Sequence, residues 1–262
     1  MNTKVIDTDW NVVINLGTNC EVHSITNKLK LRYFSSPFDS IETTHGLDTL
    51  TELLSCKFEG FMNNSSDWKL YGRPKRTRNK KYEKLFYVHV YKKWLGDMKH
   101  SDWKNFNTLN STWQVGNAWE RFKTTMWNRQ QRLISLLESE NKVLFLRTDP
   151  LLGDDTKKSN VWNNNTSKQF ENLIENVKKT YPNLNFGVYY LYSDEFKDEK
   201  RKGDFNSNDY IHYQKRPNQG KFLNFTENDW EVMKNTLKNI KLKPQEEMLP
   251  FDFEKTDFVN EK

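Results

Sequence analysis

Three short runs of apolar, β-branched and aromatic residues dominate the pattern of this chain: residues 10–16 (WNVVINL), 142–147 (KVLFLR) and 186–192 (FGVYYLY). Each is short and nearly continuous rather than alternating, as expected of a strand covered on both faces. Between and after these runs apolar residues return at every third or fourth position. Val22, Ile25 and Leu29 do so, as do Leu47, Leu50 and Leu54, then Trp119, Phe122, Met126 and Leu133. Phe170, Leu173, Ile174 and Val177 follow, and last come Trp230, Met233, Leu237 and Ile240. That spacing is the period of helices with one buried face. Strands alternating with helices specify an α/β fold: an open, mostly parallel sheet covered by helices, a Rossmann-like three-layer arrangement. Residues 210–213 read as a further short strand, and Thr226 followed by Asp229 places a capping box at the start of the last helix.

The chain has 262 residues, a length one large α/β domain can use. Residues 1–243 are read as that domain and the acidic, proline-interrupted residues 244–262 as a tail. Hydrophobic residues make up only 35% of the sequence, but 9 Trp, 11 Tyr and 17 Phe supply the buried area a core needs. Residues 58–84 and 92–116 read as aromatic and basic loops, and between them residues 85–91 (LFYVHVY) read as a central strand carrying His89. The net charge is +6, concentrated in Arg73, Lys75, Arg76, Arg78, Lys80 and Lys81. Such a block predicts an exposed, mobile loop whose nucleic-acid binding is weak and independent of base sequence.

No window holds the ~20 apolar residues of a membrane helix, and no leader pattern opens the sequence, so a cytoplasmic protein away from membranes is expected. The two cysteines, Cys20 and Cys56, are then expected as thiols. Although Cys20 and His23 lie close together, no second pair stands at ligand spacing; no metal and no cofactor is expected.

In open parallel sheets the ligand crevice lies beyond the carboxyl ends of the strands. Gly17 closes the first strand and Cys20 follows at the start of a helix, where unpaired N–H groups stabilise a thiolate. The turn Gly17, Thr18, Asn19 offers backbone donors for an anion or oxyanion. Arg147 at the end of a second strand adds a guanidinium suited to an anion, and Asp39 is read as a cap or a partner of the Gly17 turn. Asp209 and His212 stand three apart late in the chain, a layout that resembles SGNH-type esterases, in which one loop presents an imidazole and the carboxylate orienting it.

The run Asn15-Leu16-Gly17-Thr18-Asn19-Cys20-Glu21-Val22, the LKLR segment at 29–32, Ser36-Pro37-Phe38-Asp39 and Phe58-Glu59-Gly60-Phe61 together resemble the amino-terminal signature of the DUF1796 family. A weaker likeness continues at residues 86–89 and 142–147. The family is described as papain-like cysteine peptidases. The resemblance implies Cys20 as nucleophile and His89 as base, and an α+β papain-like fold as the alternative architecture; His212, from the Asp209 spacing, is the other candidate base. Thiol-dependent hydrolysis or acyl transfer is therefore the leading expectation, on a small-molecule, peptide or glycan substrate. A non-catalytic or transferase-like module that binds a sugar phosphate or nucleotide at the same crevice is the second.

Overall fold

The computed structural model describes residues 4–17, 20–39, 41–43, 47–64, 67–70, 76–79, 82, 85–88, 118–149, 165–192, 206–217 and 225–250. In chain order the elements are α1 (Lys4–Asp7), β1 (Asp9–Trp10), β2 (Val12–Asn15), α2 (Cys20–Lys28), β3 (Ile41–Thr43), α3 (Asp48–Ser55), β4 (Trp68–Leu70), β5 (Arg76–Asn79) and β6 (Leu85–Val88). The second half continues with α4 (Ala118–Glu138), β7 (Lys142–Thr148), α5 (Ser167–Thr180), β8 (Asn185–Tyr192), β9 (Ile211–Lys215), α6 (Glu227–Thr236) and β10 (Lys241–Leu242).

The three dominant runs form one sheet. β2, β7, β8 and β9 lie side by side in that order, all parallel. Alternation along these strands feeds two cores. Val12, Ile14 and Leu16 join Phe145, Val188 and Tyr190 beneath α3, α4 and α5. Val13, Leu144, Leu146 and Tyr189 face the other way, beneath Val22 and Ile25 of α2 and Met233 of α6. The three-layer α/β arrangement expected from periodicity is thus the one observed. None of the three sheets among the described residues closes into a barrel, so the helix-then-barrel layout implied by a papain-like fold is not the architecture here.

A second sheet differs from expectation. β3, β6, β5 and β4 form an antiparallel sheet in that order. Within residues 58–84, β4 and β5 are strand, and part of the basic run, Arg76–Asn79, is an inner strand bonded on both sides. The strand leading to His89 also belongs here and not to the parallel sheet. Short polar strands carry little periodic signal, because their backbone partners come from distant segments. Residues 92–116 lie outside the described residues.

The helix ends follow local chemistry. Thr226 accepts from the Asp229 amide, and the Asp229 carboxylate accepts from the Thr226 amide at 2.8 Å, the capping box read from sequence. α5 has its own, built from Thr166 and Gln169. Past β10, which pairs in parallel with β1, the chain docks: Asn141 bonds both the amide and the carbonyl of Leu249, at 2.9 and 3.0 Å. No helix among the described residues is long and apolar enough to cross a membrane.

Gly187 shows how tightly β8 is covered. A Cβ there would stand 2.8 Å from Cη2 of Trp10, whose indole is buried and held by its N–H to the Val5 carbonyl at 2.9 Å. With the ring unable to swing away, Gly187→Ala is expected to destabilise by about 1–3 kcal/mol, as overpacking does. Urea unfolding checks this, and an unchanged midpoint would show that Trp10 gives way freely.

Candidate functional site

The carboxyl end of β2 is where the fold concentrates polar side chains. Leu16 continues the ladder, its amide donating to the Leu146 carbonyl at 2.8 Å, and Gly17 then takes φ +62°. That left-handed turn suits a residue without Cβ and lets the chain reverse within a few residues into α2. α2 begins at Cys20, as the sequence suggested; Thr18 and Asn19 lie outside the described residues.

Asp39 is the anchor of this corner. It is buried at 2% exposure and takes hydrogen bonds from three directions. Asn15, the last residue of β2, donates to its Oδ1 at 2.6 Å; Arg32 donates to its Oδ2 at 2.8 Å; the Ser36 amide donates to Oδ2 at 2.9 Å. His23, one helical turn beyond Cys20, places Nδ1 at 3.6 Å from the same carboxylate and also meets Nη1 of Arg32. Burial alone would push the Asp39 carboxyl up. The hydrogen bond from His23 and the charges of Arg32, His23 and Arg129 outweigh it and hold the group at about 2. Burial lowers the Arg32 pKa, against the pull of Asp39, with Arg129 adding to the decrease. The loop at 32–39 is thereby tied to the end of β2 by a charged pair, and Arg132 of α4 adds a bond to the Ser35 carbonyl at 3.3 Å.

A second buried network lies on the other face, at the ends of β7 and β8. Arg147, 1% exposed, donates through Nε to Asn165 Oδ1 at 2.7 Å and through Nη1 to the Leu16 carbonyl. Asn165 in turn donates to Asp149 at 3.3 Å and to the Tyr190 hydroxyl at 3.4 Å. Tyr190 donates to Asp149, and Arg216, just past β9, donates to the Asp149 carbonyl at 2.9 Å. The guanidinium expected to receive an anion thus grips the strand end immediately before Gly17. Gly17, Asp39 and Arg147 converge on one end of the sheet, Asp39 through Asn15 and Arg147 through Leu16.

His212 stands apart from this corner. Asn15, Leu146, Tyr189 and His212 are register partners across the four strands, so it lies three strand spacings from Asn15, roughly 14 Å. Its ring packs on Tyr189 at 4.9 Å between centroids. Burial lowers its pKa, against a hydrogen bond with Gln214. Asp209 is exposed in the bend before β9. His89 lies outside the described residues, although β6, which it follows directly, ends alongside β3: Tyr87 is the register partner of Ile41, two positions after Asp39.

Asn15, His23, Arg32, Asn165, Tyr190 and Arg216 were not singled out as site residues. The LKLR and SPFD segments held the only sequence signal for the Arg32–Asp39 pair; nothing local marks Asn165 or Arg216. No group of three His, Cys, Asp or Glu among the described residues is arranged to hold a metal ion.

A family model described as "putative papain-like cysteine peptidase (DUF1796)" matches residues 11–195, more than two thirds of the chain. No curated protein and no solved structure matches it.

Proposed function

Given that this chain belongs to the DUF1796 family, we propose that it is a thiol-dependent hydrolase or acyl transferase with Cys20 as its nucleophile. The observation that carries the proposal is the position of Cys20, the first residue of α2 directly after the Gly17 turn at the carboxyl end of a parallel sheet. The first amides of a helix have no intrahelical partner, and they favour a thiolate and then the oxyanion formed when it attacks a carbonyl.

In this reading the thiolate adds to the acyl carbon, the imidazolium gives its proton to the departing group, and water or another nucleophile then releases the acyl group from sulfur. The base is His89. Supporting it, the family resemblance assigns that histidine, and β6 ends beside the chain that has just left Asp39. His212, three strands away from β2 and stacked on Tyr189, has a packing role. Arg147 positions the turn through its bond to the Leu16 carbonyl.

Alkylation by iodoacetamide tests the nucleophile. Cys20 should react with a pH midpoint well below the ~8.5 of free cysteine and faster than Cys56, and His89→Ala should move that midpoint back up. A Cys20 midpoint at or above ~8.5 in the wild-type chain would remove the proposal.

A further inference from the structure

Away from Cys20, a cleft of about 570 Å³ opens between the turn that follows α3 and the exposed side of α4. Its volume falls in the range of small-molecule sites. Trp127, Gln130 and Gln131 line it from α4, spaced so that they share one helix face. Cys56, Phe58 and Asn63 line it from the facing turn.

Three features set this cleft apart from an ordinary surface dent. Trp127 keeps 53% of its surface exposed, the larger of the two exposed large hydrophobics among the described residues. Gln130 is only 1% exposed, and its Nε2 has no hydrogen-bond partner. A buried amide left without a partner is costly unless something binds there. The facing turn, finally, is held in an uncommon shape: Lys57 and Phe58 have φ +49° and +61°, and Gly60 follows at +74°.

Charge narrows the ligand. Lys57 is the cation among the lining residues, and its ammonium is taken by Glu138 at 2.5 Å and lies over the Tyr181 ring at 5.6 Å. Glu59 adds a carboxylate to the wall, so among the described residues an anion finds no receptor there. What remains is a flat aromatic surface beside three carboxamides, each offering both donor and acceptor groups. We propose that this cleft binds a neutral carbohydrate, its apolar ring face against Trp127 and its hydroxyls on the amides of Gln130, Gln131 and Asn63. The proposal is independent of the reading of Cys20.

Cys56 in the wall serves as the reporter. The full-length chain is alkylated with iodoacetamide, and carbamidomethylation of the Cys56 peptide is followed by mass spectrometry. Maltotriose, cellotriose, mannotriose and tri-N-acetylchitotriose are each added at about 10 mM, with triglycine and inorganic phosphate as the competing chemistries. For a dissociation constant on the order of 1 mM, one of the saccharides slows Cys56 labelling by about tenfold. Saturation-transfer NMR on the same saccharide shows its ring protons in contact with protein. Gln130→Leu and Trp127→Ala each abolish both signals. Trp127 is exposed enough that its truncation leaves folding intact even if the buried Gln130 variant does not fold. Absence of both protection and saturation transfer for all four saccharides overturns the proposal. So does equal protection by triglycine or phosphate, or protection that survives Trp127→Ala.

Discussion

Asp39→Ala should destabilise the protein by about 3–5 kcal/mol, the loss seen when one partner of a buried ion pair is removed. The reason is what remains behind. Arg32 has only 4% of its side chain exposed and would keep its charge without the carboxylate that compensates it, while Asn15 and the Ser36 amide lose their acceptor. Equilibrium urea unfolding reads the effect. Arg32→Met in the same background should recover part of it, because an apolar side chain does not need the missing carboxylate. A loss below about 1 kcal/mol for Asp39→Ala would mean that the corner is held by packing alone.

The same residue sets an acid limit. Its carboxyl titrates at about 2 in the folded chain, against an ordinary value of 3.8, so the unfolded chain takes up the proton first as pH falls. The stabilisation is complete above about pH 5 and fades as pH falls through 3.8 toward 2; the shift corresponds to about 2 kcal/mol. Asp39→Asn should flatten that part of the stability profile. A profile with the same acid slope would place the titration elsewhere.

Arg147→Leu is the second large effect, expected at about 2–4 kcal/mol. The substitution leaves the Leu16 carbonyl and Asn165 Oδ1 buried without their donor, and each such group costs about 1–3 kcal/mol. Lysine should not rescue it, because a single ammonium cannot reproduce the fork that spans two acceptors. Since Leu16 precedes the Gly17 turn, loosening it should also raise the alkylation midpoint of Cys20 toward that of a free thiol. Hydrogen exchange at Leu16 and urea unfolding together check the structural half. Wild-type stability and unchanged Cys20 reactivity in the Leu variant would sink the positioning role.

How far the site could be read in advance depended on how locally it was encoded. The β2 strand, Gly17 and the start of α2 at Cys20 occupy one short stretch, and a glycine between an apolar run and a helical period states that geometry outright. The Thr226–Asp229 capping box is as local, and it was equally legible. Asp39 was noticed as a possible partner of the Gly17 turn, but its contact with β2 runs through Asn15, 24 residues away, and Arg32 enters only because the loop folds back. Arg147 was visible at a strand end, yet its contact with Leu16 was not. Whether a guanidinium receives a ligand or a backbone carbonyl depends on Leu16, 131 residues earlier, lying on the neighbouring strand.

What the sequence determined by itself is the set of parallel strands and the helices that cover them, because a buried face imposes a period on the side chains regardless of partner. The antiparallel sheet of β3, β6, β5 and β4 and the assignment of the His89 strand to it were decided only in the tertiary structure. Those strands are three or four residues long, and one of them reads RTRN. So brief and polar a segment has no face to declare, and its backbone groups become strand only when distant chains supply the partners they would otherwise find in water.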